Sequence, residues 1–133
     1  MSPYKKVALP EIEGRGRLMF AEESRHIPFP IKRIFAIYDV PTGIRRGGHA
    51  HRAQEQFIVL LSGGCTFSID DGVARTEERL AKPTEGLYIP ARLWLELSDF
   101  APNSVCLVAT SGLYDEQDYI RDYGEFKNLA ASR

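Results

Sequence analysis

Of the three histidines in the chain, two stand one residue apart, His49 and His51 in the run TGIRRGGHAHRAQEQ, Thr42 to Gln56. Successive side chains of a strand point to opposite faces, so on a β-strand both imidazoles project to one side and Ala50 to the other. Facing an interior, the two rings share one cavity and either ligate a metal or pass protons. Facing solvent, they do neither. With an ordinary pKa of about 6.5, one ring accepts a proton while the other donates near neutral pH, which is what general acid–base catalysis needs. Such a pair suits enolisation, in which a base works at the carbon beside a carbonyl and a donor works at its oxygen.

The elements that must position the pair are strands. Apolar residues come in short runs rich in Val, Ile, Phe and Tyr, separated by Gly, Pro, Asp and Asn. The pattern predicts strands over 17–22, 33–40, 49–52, 56–61, 66–69, 73–79, 86–89, 93–97 and 105–110. Asp71-Gly72 in SIDDGVAR marks a hairpin between antiparallel neighbours. No long helical pattern precedes residue 111, which argues against a βαβ fold and for a sandwich or jelly-roll barrel. The tail, LYDEQDYIRDYGEFKNLA, reads either as one or two helical turns packed on the barrel or as a flexible end.

At 133 residues the chain fits one domain. Its 17 basic and 18 acidic residues are intermixed, which excludes the basic stripe of a nucleic-acid binder. No apolar run approaches the roughly 20 residues that span a bilayer, and MSPYKKVALPEIEG lacks the apolar stretch of a secretion signal. No membrane partner is expected, and the expected location is cytoplasmic. Cys65 and Cys106 sit in apolar runs and read as reduced, buried thiols rather than nucleophiles.

Gly43, His49, His51 and Glu55 stand at the spacing of the first sequence motif of the cupin superfamily, with Gly63 one residue beyond the motif's closing glycine. The resemblance implies an all-β cupin jelly-roll barrel with a short C-terminal extension, a single domain over residues 1–133. In metal-binding cupins the two histidines and the glutamate join a histidine from a second motif. Here that motif begins at Pro90, its glycine position is Arg92 and its histidine position is Leu95. The ligand set is short, and His26 lies far from that strand in sequence. Glu55 reads as a surface or salt-bridged carboxylate, the alternative being a facial triad with His49 and His51, and no metal is expected.

FPIKRIFAIYDVPTGIRRGGHAHRAQEQFIVLLSGGCTFSIDDG, together with YDEQDYIRDYGEF, resembles the nucleotide-linked sugar 3,4-ketoisomerases, small cupins that convert TDP-4-keto-6-deoxyglucose to its 3-keto isomer. The resemblance implies a TDP-linked 4-keto-6-deoxyhexose substrate, an enediol intermediate, no metal or organic cofactor, and a homodimer that exchanges N-terminal strands. It also implies a product later aminated to a 3-amino-3,6-dideoxyhexose. Carried over residue by residue, the catalytic histidines fall on His49 and His51 and the active-site tyrosine on Tyr38. By alternation Tyr38 shares a face with Ile34 and Ala36, which reads equally as core. Arg15 and Arg46, ahead of Arg45, are the candidates for the substrate's phosphates, because a guanidinium fork matches phosphate oxygens. Trp94 either flanks a ring of the substrate or belongs to the core, and Gly47 and Gly48 let the chain turn beside the ligand. A 3,5-epimerase and a non-catalytic sugar-nucleotide binding module are the alternatives. Which histidine is the base, and whether the product is galacto or gluco, stays open.

Overall fold

The punctuated pattern folds as two five-stranded antiparallel sheets, seen in a computed structural model that describes residues 4–132. In chain order the strands are β1 (Lys5–Ala8), β2 (Glu11–Glu13), β3 (Arg17–Met19), β4 (Arg33–Tyr38), β5 (Arg46–His51) and β6 (Gln56–Ser62). There follow β7 (Cys65–Asp70), β8 (Arg75–Leu80), β9 (Glu85–Ile89), β10 (Trp94–Ser98), β11 (Val105–Thr110) and β12 (Tyr119–Ile120), then the helix α1 (Tyr123–Ala131). One sheet has the order β1-β9-β6-β11-β4 and the other β12-β5-β10-β7-β8, the two-layered arrangement of a jelly roll. Among the described residues β2 and β3 pair only with each other.

Alternation decides which residues fill the space between the sheets. Leu60, Phe67, Leu80 and Leu87 are completely buried there, each worth about 1.5–3 kcal/mol relative to an exposed side chain. Cys65 and Cys106 lie in the same core as free thiols, and burial pushes both up to about 12. The other face of β6 and β11, through Phe57, Val59 and Ala109, is covered by Leu9, Ile27 and Phe29. On the second sheet α1 is capped by the Asp122 carboxylate, which accepts from the Glu125 amide at 2.8 Å, and its Phe126 packs with Ala50, Trp94 and Ile120.

The Asp-Gly hairpin forms between β7 and β8, with Asp70 opposite Arg75 and Gly72 at φ 99°. Several boundaries move. The strand expected over 17–22 ends at Met19, that over 33–40 ends before Asp39 at φ 56°, and that over 73–79 begins only at Arg75. Three strands were not expected: β1, an edge strand with little apolar content; β2, which is fully exposed; and β12, only two residues long. Of the two readings of the tail, the structure has the helix packed on the sheet.

Candidate active site

The histidine pair owes its setting to a bulge. Strand β5 pairs with β10 through His49 opposite Leu95 and Gly47 opposite Glu96, so the register slips around Gly48. Gly47 has φ 81°, and a Cβ there would lie 2.8 Å from the Leu95 carbonyl oxygen, so a larger residue would disrupt the pairing. Beyond the bulge alternation resumes. Ala50 packs outward under α1, while the His49 and His51 rings lie on the inner face, 5.2 Å apart and nearly perpendicular.

Strand β12 completes the arrangement from a distant part of the chain. It pairs with β5 so that Tyr119 lies opposite His51 and Ile120 opposite Ala50. The Tyr119 ring is consequently 4.5 Å from the His51 ring and 5.0 Å from that of His49. Two residues on, the Arg121 guanidinium lies 4.3 Å from the centre of the Tyr119 ring and is held by both Glu116 oxygens, at 2.7 and 3.0 Å. One residue before β12, the buried Asp118 carboxylate sits 2.8 Å from His51 Nδ1. A cavity of about 190 Å3 opens against these groups, lined on its polar side by Arg46, His49, Gln56, Tyr119 and Arg121 and on its apolar side by residues such as Phe35 and Leu95.

Both imidazoles are held neutral at neutral pH. Burial, then the neighbouring His51 and Arg121, lowers His49 to about 4. Among the described residues its buried Nδ1 has no hydrogen-bond partner. Burial also lowers His51, opposed by the hydrogen bond to Asp118. The Arg121 hydrogen bonds draw Glu116 down to about 2. The site therefore offers an unprotonated imidazole at a cavity wall beside a fixed cation, the equipment for removing a proton next to a carbonyl and stabilising charge on its oxygen.

Residues 3–131 match the family described as "FdtA: WxcM-like, C-terminal". The chain belongs to this family. A TDP-4-oxo-6-deoxy-alpha-D-glucose-3,4-oxoisomerase of Aneurinibacillus thermoaerophilus is 42% identical to it over 128 residues, which is 96% of this chain and 89% of that protein. A 3,4-ketoisomerase from Helicobacter canadensis superposes with a TM-score of 0.93 at 36% identity, over 96% of this chain and 97% of the other. A histidine-to-asparagine variant of the 3,4-ketoisomerase QdtA of Thermoanaerobacterium thermosaccharolyticum, in complex with TDP-4-keto-6-deoxyglucose, superposes with a TM-score of 0.96 at 32% identity, over 100% and 97%.

Within this FdtA-family chain the candidate residues separate. His49 and Arg46 line the cavity, and His51 stands behind His49, 5% exposed. Tyr38 is not brought to them. Strand β4 turns Phe35 and Ile37 to the cavity and leaves Ile34 and Tyr38 on its other face, where Tyr38 is 64% exposed, so that face is not core. Trp94 is buried on the outer face of β10 against Phe126, donating to Glu96 at 2.8 Å, because alternation sends Leu95 and Leu97 inward instead. Arg15 lies in the exposed turn between β2 and β3, and Arg45 pairs with Glu96 at 3.2 Å.

Glu55 receives the Tyr88 hydroxyl at 2.5 Å, a side-chain hydrogen bond rather than an ion pair. His26 accepts from the Glu22 amide. Leu95 stands opposite His49, and among the described residues no three His, Cys, Asp or Glu side chains are gathered closely enough to hold a metal. Sequence reasoning missed Gln56, Asp118, Tyr119 and Arg121. For the last three the only signal was the acidic-aromatic tail itself, which carries no spacing relation to the histidines, while Gln56 begins an apolar strand with nothing to mark it as functional.

Proposed function

We propose that this protein converts a TDP-4-keto-6-deoxyhexose to the 3-keto isomer through an enediol, with His49 as the proton carrier. The observation that carries the reading is the neutral His49 ring on the wall of a cavity of about 190 Å3, in a chain 42% identical to a 3,4-oxoisomerase. His49 takes the C3 proton, and the electron pair moves to the C4 oxygen, where the Arg121 guanidinium opposes the developing charge. With the C4 oxygen protonated, the intermediate is an enediol. The imidazolium of His49 returns its proton to C4 while the C3 hydroxyl gives its own to solvent water and becomes the carbonyl, balancing the proton that the C4 oxygen took from solvent. No electron leaves the sugar, so no redox partner is consumed.

Arg46, at the exposed end of β5 and on the cavity wall, is placed to meet the diphosphate. A cytoplasmic enzyme supplying a 3-amino-3,6-dideoxy sugar pathway fits a product whose new C3 ketone is open to amination. A strand-exchanged homodimer is supported by the β2–β3 hairpin, which pairs with no other strand among the described residues and exposes Ile12 and Leu18. Arg15 lines no part of its own chain's cavity, so a substrate role for it requires that exchange. Light scattering should report a dimer at micromolar concentration, and a monomer would remove both the exchange and the role of Arg15. The reaction is tested by the NMR spectrum of the product from TDP-4-keto-6-deoxyglucose. A C3 ketone with either C4 configuration supports the reading, and unchanged or C5-epimerised sugar refutes it.

A further inference from the structure

Asp118 is 8% exposed and fully engaged. Its carboxylate accepts from the Ala53 amide at 2.8 Å and the Gln54 amide at 3.3 Å, and Oδ2 lies 2.8 Å from His51 Nδ1. A carboxylate can only accept, so Nδ1 of His51 carries the proton and Nε2 keeps its lone pair. The Gln56 carboxamide nitrogen lies 3.4 Å from Nε2, on a side chain only 4% exposed. Of the two ends of a carboxamide, only the NH2 can donate to a lone pair. Gln56 also lines the cavity. Each link dictates the polarity of the next, and the sequence ends at a carboxamide whose oxygen is left to accept from whatever occupies the site.

We propose that Asp118, His51 and Gln56 form a positioning relay that fixes the Gln56 carboxamide oxygen as the acceptor for the sugar hydroxyl adjacent to the ketone. The proposal rests on the ketoisomerase reading and deepens it. Asp118 and His51 are positioning residues, Gln56 contacts substrate, and His49 alone carries the carbon-bound proton. The substrate's ketone can only accept, whereas its C3 hydroxyl can donate. A fixed acceptor in the cavity therefore distinguishes C3 from C4 and holds the C3–H bond in one orientation toward His49. Reversing the relay would present N–H groups to that hydroxyl instead.

The test begins with a measurement that needs no substrate. Nitrogen-15 NMR of the wild-type protein should find His51 as the Nδ1–H tautomer. Asp118→Asn, which can turn its NH2 toward Nδ1, should shift His51 to Nε2–H and thereby invert the carboxamide. Gln56→Met keeps the side-chain length without the acceptor and should lower kcat/KM about 10- to 100-fold, with the affinity for TDP unchanged by calorimetry. Asp118→Asn should give a comparable loss, and the double variant should lose no more than the worse single one. If Asp118→Asn does not fold, the wild-type tautomer and Gln56→Met still decide. An Nε2–H tautomer in the wild type, or wild-type kcat/KM in Gln56→Met, overturns the relay. A wild-type protein inert toward TDP-4-keto-6-deoxyglucose overturns the ketoisomerase reading itself, and the substrate role of Gln56 with it.

Discussion

Acidification separates a half-buried, neutral His49 from an exposed one. An unfolded chain protonates this histidine near 6.5, whereas the folded protein resists until about 4, chiefly because burial disfavours the charged ring. Between those values the unfolded state binds more protons, so stability must fall as the pH falls. The slope is about 1.4 kcal/mol per pH unit, and the whole window amounts to about 3 kcal/mol. Above 6.5 and below 4 this contribution is flat. The assay is denaturant unfolding of wild type and His49→Asn at pH 7, 6, 5 and 4. Carboxylates titrate in both proteins, as does His51, so the difference between the two curves isolates His49. The wild type should lose about 3 kcal/mol relative to the variant on going from pH 7 to pH 4. Turnover should keep its base down to the same low range, falling tenfold per unit only below about pH 4, where folded His49 protonates. Parallel stability curves would refute the reasoning, because they would mean that His49 titrates alike in the folded and unfolded chains.

His49→Asn should cut turnover by about 10²- to 10⁴-fold and abolish deuterium exchange at C3 in heavy water, while His51→Asn should lose only about 10- to 100-fold and retain slow exchange, both followed by NMR. Combined, the two losses should not multiply. Protein stripped with a strong chelator and verified by elemental analysis should turn over normally, since no three potential ligands cluster among the described residues; activity restored by one divalent ion would contradict this. Phe126→Ala should cost about 3–5 kcal/mol in thermal or chemical unfolding, because it empties the fully buried contact between α1 and Trp94. A loss below about 1 kcal/mol would mean that the helix is not docked.

Much of the fold was legible because it depends on local pattern. Alternating apolar runs and the Asp71-Gly72 pair marked nine strands and the hairpin, and the spacing from Gly43 to Glu55 marked the cupin strand that carries the histidines. Strands β1 and β12 were not legible, since a polar edge strand and a two-residue strand leave no periodicity to read. The site divides in the same way. Alternation alone put His49 and His51 on one face and Ala50 on the other, and the structure agrees. It could not say which face of β4 or β10 is the inner one, because period-two arithmetic groups residues without orienting them. Tyr38 was given a site role by resemblance and Trp94 was left between site and core; both turn away from the cavity, while Phe35 and Leu95 turn toward it. Asp118 lies 67 residues from His51, and only the pairing of β12 with β5 brings it to 2.8 Å. The sequence by itself determined the histidines, their shared face and the sheet architecture, since these follow from residue type and local periodicity. Tertiary structure alone decided their protonation, partners and cavity, because desolvation and hydrogen bonding are properties of the groups that packing assembles from distant parts of the chain.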